Sequence, residues 1–129
     1  MRPIIREAGI DDLPEIIQMA QDALSQIHPH LPSDAEVLAA TIQDGIAAQF
    51  AAVLVAEDAD GLCGLLIAKA EPSWFGPGWV ASDWLTYVKP RAKGWLWYRL
   101  VEVYAEWAES LGVNVINTIN LSGKNDASA

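Results

Sequence analysis

The segment from Phe50 to Val88 constrains this chain most. "AAVLVAED" is a run of small and branched apolar residues closing in "DADG", whose Asp60-Gly61 step marks a tight reversal. "LCGLLIAKA" then runs back, the Pro/Gly loop "EPSWFGPG" intervenes, and "WVASDWLTYV" adds a third strand rich in aromatic and branched residues. Strands joined by reversals this short belong to one sheet and pair antiparallel.

Helical periodicity flanks that sheet. Leu13, Ile16, Ile17, Ala20, Leu24 and Ile27 share one face of a helix that Asp12 and Glu15 open as a capping box, with Pro14 tolerated in its first turn. "HPHLP" ends it, because Pro29 and Pro32 each remove a donor and disfavour helix in the residue before. Ser33 and Glu36 form a second capping box, opening a helix through Val37, Leu38, Ile42 and Ile46. Near the other end, "WLWYRLVEVYAEWAESLG" places Leu96, Leu100, Val103, Tyr104, Trp107 and Leu111 on one stripe, with Gly112 as the C-terminal cap. Pro3 to Glu7 and "VNVINTIN" (Val113 to Asn120) are the first and last strands. The expected order is β-α-α-β-β-β-α-β, one domain over residues 1–121 with a polar tail over 122–129.

Composition narrows the function classes. Eight basic against seventeen acidic residues give a formal charge of −9, which argues against a nucleic-acid surface. It suits a cationic partner or plain solubility. The longest apolar runs, such as "FAAVLVA", are far too short to cross a bilayer, and Arg6 and Glu7 stand where a secretory apolar region would be. A single cysteine, Cys63, excludes an internal disulfide and fits a reducing cytoplasm. Its apolar surroundings mark a buried structural thiol. His28 and His30 lack cysteine or carboxylate company, so they mark a loop and no metal site is expected.

Against this acidic background, Trp84 to Val101 holds no acid and carries Lys89, Arg91, Lys93 and Arg99, half of all Lys and Arg. The basic loop joins a strand to the long helix, so it delivers that helix's N-terminus to the strand's C-terminal end. A first helical turn offers unpartnered backbone N–H groups and the positive end of the macrodipole, and Gly94 lets a ligand come close. Such a site suits a phosphate-type anion. The spacing is neither that of a Walker loop nor that of a dinucleotide fingerprint.

Val88-x-Pro90-Arg91-x-x-Gly94 closing a strand before a long amphipathic helix resembles motif A of the GNAT N-acetyltransferases. "IIREAGIDDLPEIIQMA" and "VLVAEDADGLCGLLIA" look like the family's first strand and helix and its second and third strands. "PSWFGPGWVASDWLTYVKP" and "EVYAEWAESLGV" look like the short members encoded by phage genomes. The resemblance implies an α/β fold, a mixed and mainly antiparallel sheet with flanking helices. It implies acetyl-CoA as cosubstrate, its pyrophosphate held by the backbone of Arg91, Ala92, Lys93, Gly94, Trp95 and Leu96. It also implies transfer of the acetyl group to an amine by direct attack, with a backbone N–H near Tyr87 or Val88 polarising the thioester carbonyl.

The family's second small residue falls on Leu96, whose side chain must face the core if the turn is to work. Family members also continue past the last strand into a short helix, whose Tyr often protonates the departing thiolate, and a final strand pair. Here the sequence ends at "GKNDASA". The resemblance therefore implies an open last strand, with Val113, Val115, Asn117 and Ile119 on one face, and such edges favour a homodimer.

A lysine-like amine is neutral in only about one molecule in 2,500 at pH 7, so a positioned base is useful. Asp83, five residues before Val88, matches a catalytic Glu of several GNATs. By strand alternation it shares a face with Leu85 and Tyr87, opposite Trp84, Thr86 and Val88. Trp74 and Phe75 are expected at the mouth for the acceptor, a small-molecule or protein amine. The rival expectation is a catalytically silent GNAT-fold module that binds CoA or a partner protein.

Overall fold

The structure is a computed structural model that describes residues 2–92 and 94–118. Lys93, the expected strand end at Ile119 and Asn120, and the tail over 122–129 lie outside the described residues. The elements are β1 (Ile4–Glu7), a 3-10 turn (Ile10–Asp12), α1 (Leu13–Ile27), α2 (Ala35–Ala47), β2 (Ala51–Asp58), β3 (Gly61–Pro72), β4 (Trp79–Val88), α3 (Trp95–Ser110) and β5 (Val115–Asn117). They follow the order expected from sequence. The strands form one sheet in the order β1-β2-β3-β4-β5, antiparallel throughout except for the parallel β4–β5 pair. No helix among the described residues is long and apolar enough to cross a membrane.

Helices cover both faces of the sheet. Leu96, Leu100, Tyr104 and Ala108 of α3 pack on Leu54 and Ala56 of β2, Leu66 and Ala68 of β3, and Ala81 of β4. On the opposite face Ile16, Met19, Ala20 and Ala23 of α1 and Ile42 of α2 cover Val53, Val55, Leu65 and Leu85. Burial on both sides explains why Ala52 to Ala56 are all interior, without the polar alternation of a half-exposed strand. The α3 stripe lies as the spacing predicts, and Gly112 ends the helix in the left-handed region at φ +76. Its N–H donates to Glu109 O and that of Val113 to Ala108 O, the paired bonds of a Schellman cap.

Local signals at the other helices shift. Asp34 caps α2, not Ser33, accepting from the N–H groups of Glu36 (2.8 Å) and Val37 (3.2 Å). Only Ile42 of that helix is fully interior, and Val37 is exposed. On α1 the buried face comprises Ile16, Met19, Ala20 and Ala23 and leaves Ile27 exposed. Asp12 does not cap α1 with its side chain. Arg6 draws that carboxylate back to β1 through a bidentate pair at 2.8 and 2.9 Å, while the Gly9 N–H donates to it. Glu15 is then free of its expected capping role and accepts instead from the N–H of Leu62 at 3.2 Å.

Two bulges set which way the side chains face. Between β2 and β3 the register slips after Ala56, making Cys63 the extra residue, and both Cys63 and Gly64 turn toward α3. Burial, then the nearby Asp58 carboxylate, push the Cys63 thiol pKa up. Between β3 and β4 the pairing steps from Ile67–Leu85 to Ala68–Asp83, so Trp84 has no partner. That corrects the expected faces: Leu85 and Tyr87 lie on the α1 side, while Asp83 and Thr86 hydrogen-bond each other on the α3 side. Val113 also leaves the expected strand face, since it belongs to the turn after α3 and packs with the α3 core.

The Arg6 clamp generates a pH dependence. Its hydrogen bonds are the main reason that the Asp12 carboxyl sits below the usual aspartate range. A carboxylate with a depressed folded-state pKa contributes stability that is complete above its unfolded pKa and fades as pH falls through the lower folded value. The urea midpoint should therefore drop below about pH 4, the ordinary aspartate value, and Arg6→Met should make that drop shallower. Equal acid slopes for the two proteins would show that the clamp contributes nothing.

Candidate functional site

Pro90 ends β4, and the chain turns through residues 89–94 into α3. The Lys89 N–H still donates to Cys63 O, and the Ala92 N–H closes a turn onto Lys89 O, both at 2.9 Å. No side chain caps α3 and its first turn holds no acid, so the positive end of a 16-residue helix is left without a counter-charge of its own. Gly94 has ordinary helical angles, φ −58 and ψ −30, and a Cβ built there would meet nothing within 4 Å. The glycine leaves open space above the turn rather than relieving strain. Trp95, which starts the helix, carries the Arg2 guanidinium 5.5 Å above its ring.

Leu96 faces the core, the condition the sequence sets for this turn. It is fully buried, and its methyl lies over Gly64, where an added Cβ would come 3.4 Å from Leu96 and 3.1 Å from Leu100. Arg91 behaves differently from expectation. Its guanidinium makes a short ion pair with Asp58, reaches Leu62 O at 3.5 Å and has Asp60 at 3.9 Å. The Asp58 bond is the leading reason that the Arg91 pKa is raised and that the Asp58 pKa is lowered. The charge expected to face an anion is thus spent on the β2–β3 turn.

Beside the loop β4 runs past the described part of β5. Among the described residues β4 pairs with β5 at Val80–Val115, Ala81–Ile116 and Ser82–Asn117, and it continues to Val88. Because Lys89 donates toward β3, strand alternation turns the Tyr87 N–H toward β3 as well. The N–H groups of Thr86 and Val88 face the opposite edge of β4 instead, so Val88 rather than Tyr87 presents a donor there. The Tyr87 side chain is half-buried on the α1 side, its phenol pKa raised by burial and then by Asp22. At the end of the described β4–β5 pairing the Tyr104 hydroxyl donates to Asn117 O at 2.6 Å. Burial, followed by the Asp83 carboxylate, pushes its phenol pKa far up, so it remains a donor. Asp83 is 1 % exposed beside it and accepts from the Thr86 hydroxyl at 3.1 Å.

On the opposite face a groove of about 250 Å³ runs between α2 and the Trp84 bulge, with Asp44, Lys69 and Trp84 along its rim. The Lys69 ammonium lies 5.7 Å from the Trp84 ring centre. Trp74 and Phe75 stand at the tip of the β3–β4 hairpin, edge to face at 5.5 Å, the indole 93 % exposed. They lie beyond the N-terminal end of β4, at the far end of that strand from the phosphate-type loop. Sequence reasoning missed Asp58, Tyr104 and the Trp84 groove. No local signal marks Asp58 or Trp84, whereas Tyr104 was visible only as a stripe residue.

Two substitutions separate the roles of the turn's residues. Leu96→Ala should cost about 2–5 kcal/mol in urea denaturation, as for a truncated core leucine. Gly94→Ala should stabilise the free protein by about 0.4–1 kcal/mol, because its angles suit any residue. A costly Gly94→Ala would mean that the space above the turn is not open.

No protein-family model matches the chain, and no curated protein matches it in sequence. Solved structures do. A GNAT family acetyltransferase from Staphylococcus aureus superposes with TM-score 0.70 at 13% identity, covering 92% of this chain and 86% of that one. A predicted acetyltransferase from Clostridium acetobutylicum, solved with acetyl-CoA, gives TM-score 0.77 at 13% identity, covering 90% and 79%. A ribosomal-protein-alanine N-acetyltransferase from Brucella melitensis gives 0.72 at 17%, covering 92% and 79%. With a mixed five-stranded sheet, α1 and α2 on one face and α3 on the other, this chain has the fold of the GNAT acetyltransferases.

Proposed function

We propose that this chain is a GNAT N-acetyltransferase that uses acetyl-CoA to acetylate an amine. One observation carries the reading: the α3 N-terminus, which Gly94 leaves without a side-chain cap and open above, adjoins the C-terminal end of β4. The pyrophosphate would be held by backbone N–H groups from Arg91 to Leu96, including Ala92, Lys93 and Trp95. Open space above Gly94 and the inward Leu96 side chain both suit that role. Acetyl-CoA supplies an activated acyl group on a thiol leaving group. In this chain the Val88 N–H is the donor proposed for the thioester carbonyl oxygen, and Asp83, on the same strand, is the base proposed for the acceptor amine.

Titration calorimetry with acetyl-CoA and CoA tests the site. The wild type should bind both, and Gly94→Glu should abolish binding by putting a side chain and a negative charge at the phosphate position. Wild-type-like titration of Gly94→Glu would sink the reading. Asp83→Asn should leave CoA affinity nearly intact and slow transfer by about 10²- to 10⁴-fold, the range for a lost general base. That deficit should shrink at high pH, where the amine loses its proton unaided.

A second reading, a silent module that binds CoA or a protein partner, is favoured by the burial of Asp83 on the α3 side. Absence of turnover with small amines and protein N-termini alike, alongside intact CoA binding, would select it. Trp74 and Phe75 remain proposed for the acceptor mouth. A homodimer through β5 belongs to the same proposal, since Val115 is 43 % exposed on that strand. Light scattering at micromolar concentration should show dimers, and Val115→Lys should yield monomers.

A further inference from the structure

Beside the turn between β2 and β3 lies a residue, Leu62, whose backbone N–H and C=O neither neighbouring strand satisfies. After the Cys63 bulge, Leu62 lies opposite Glu57, one step from Ala56–Gly64. By alternation this is a pair without mutual hydrogen bonds, so the polar groups of Leu62 point toward β4. There the β3–β4 register, continued one step past the Lys89–Cys63 bond, would bring Leu62 opposite Pro90, which has no N–H to give. Side chains from two other elements take over. Glu15 of α1 accepts from the Leu62 N–H at 3.2 Å, and Arg91 donates to Leu62 O at 3.5 Å.

Arg91 is held there by Asp58. The carboxylate of Asp58 is itself fixed, because its other oxygen accepts from the Asp60 N–H at 2.9 Å in an Asx-type turn. Gly61 completes the reversal at φ +112, and a Cβ there would come within 3.1 Å of the Glu15 carboxylate. Turn, α1 and loop therefore meet at one residue, Leu62. Arg91 follows Pro90 directly and Ala92 bonds back to Lys89, so fixing the guanidinium fixes the path by which the chain enters α3.

We propose that Asp58, acting through Arg91, is a positioning residue for the turn that leads into the α3 N-terminus, and that Arg91 is a strut rather than an anion ligand. The consequence for CoA rests on the phosphate-site reading above, while the consequence for the loop does not. The two can be told apart by the sign of one effect. Simple electrostatics makes Asp58 and Asp60 repel a polyanion bound nearby, so removing Asp58 would tighten CoA binding. Positioning has the opposite sign.

The experiment compares Asp58→Ala, Asp58→Asn and wild type by calorimetric titration with CoA. Amide hydrogen exchange across residues 89–96 is measured without ligand, and thermal unfolding confirms that each variant is folded. Asp58→Ala should weaken CoA binding by about tenfold, the scale of a displaced site built from properly aimed groups, and speed exchange in the loop. Asp58→Asn, whose single amide oxygen can stand in for the oxygen facing the Asp60 N–H or for the one facing Arg91 but not for both, should recover part of both effects. CoA binding by Asp58→Ala as tight as or tighter than wild type, or unchanged loop exchange, would overturn the proposal. If the wild type takes up no CoA, the phosphate-site reading fails by itself. The exchange rates then still decide whether Asp58 holds the loop.

Discussion

The seating of α3 on β3 is the contact on which the rest of this structure depends. Gly64 removes a side chain beneath the helix, and Leu96 and Leu100 come down into that space against Ala56. A helix seated by its first turn cannot drift along the sheet, because those residues would leave fully buried positions. Its N-terminus is therefore held at the C-terminal end of β4. The same contact turns the Leu96 side chain away from the loop and leaves the turn's outer surface to its backbone.

A second local event shapes β4. Among the described residues β4 pairs with β5 over Val80 to Ser82, and the Trp84 bulge lies just beyond the last of these pairs. A bulge increases local twist and bends its strand. The Tyr104 hydroxyl holds the β5 carbonyl of Asn117 beside the last described pair. Helix α3 thus flanks this stretch of β4, with its N-terminus at one end and Tyr104 at the other. Asp83 enters the core on the same side, buried beside Thr86 and Tyr104.

Charge is distributed with equal economy. The chain is strongly acidic, yet its basic loop does not simply present cations to solvent. Arg91 is drawn to Asp58, and Arg6 to Asp12 and Glu57, so both guanidinium groups join elements distant in sequence. The proposed anion site would draw on the backbone dipoles at the start of α3, with Arg2 beside Trp95 close to them. Such dipoles are oriented by the helix itself and carry no side-chain entropy to lose on binding.

Much of this was legible in the chain itself. The Asp60-Gly61 reversal, the runs around it and the stripe from Leu96 to Leu111 name the strands and the long helix, because hydrogen bonding within a helix and alternation along a strand are local periodicities. The loop at Arg91–Gly94 announced its place for the same reason. What tertiary structure alone decided is the direction in which particular groups point. Cys63 and Trp84 are bulge residues only because of how two strands pair, and one such slip moved Asp83 to the α3 face against the expected alternation. Arg91 found its carboxylate 33 residues away, and Tyr104 found a carbonyl on another strand. Those partners depend on which segments the folded core brings within hydrogen-bonding range, and a local pattern of residues carries no record of that distance.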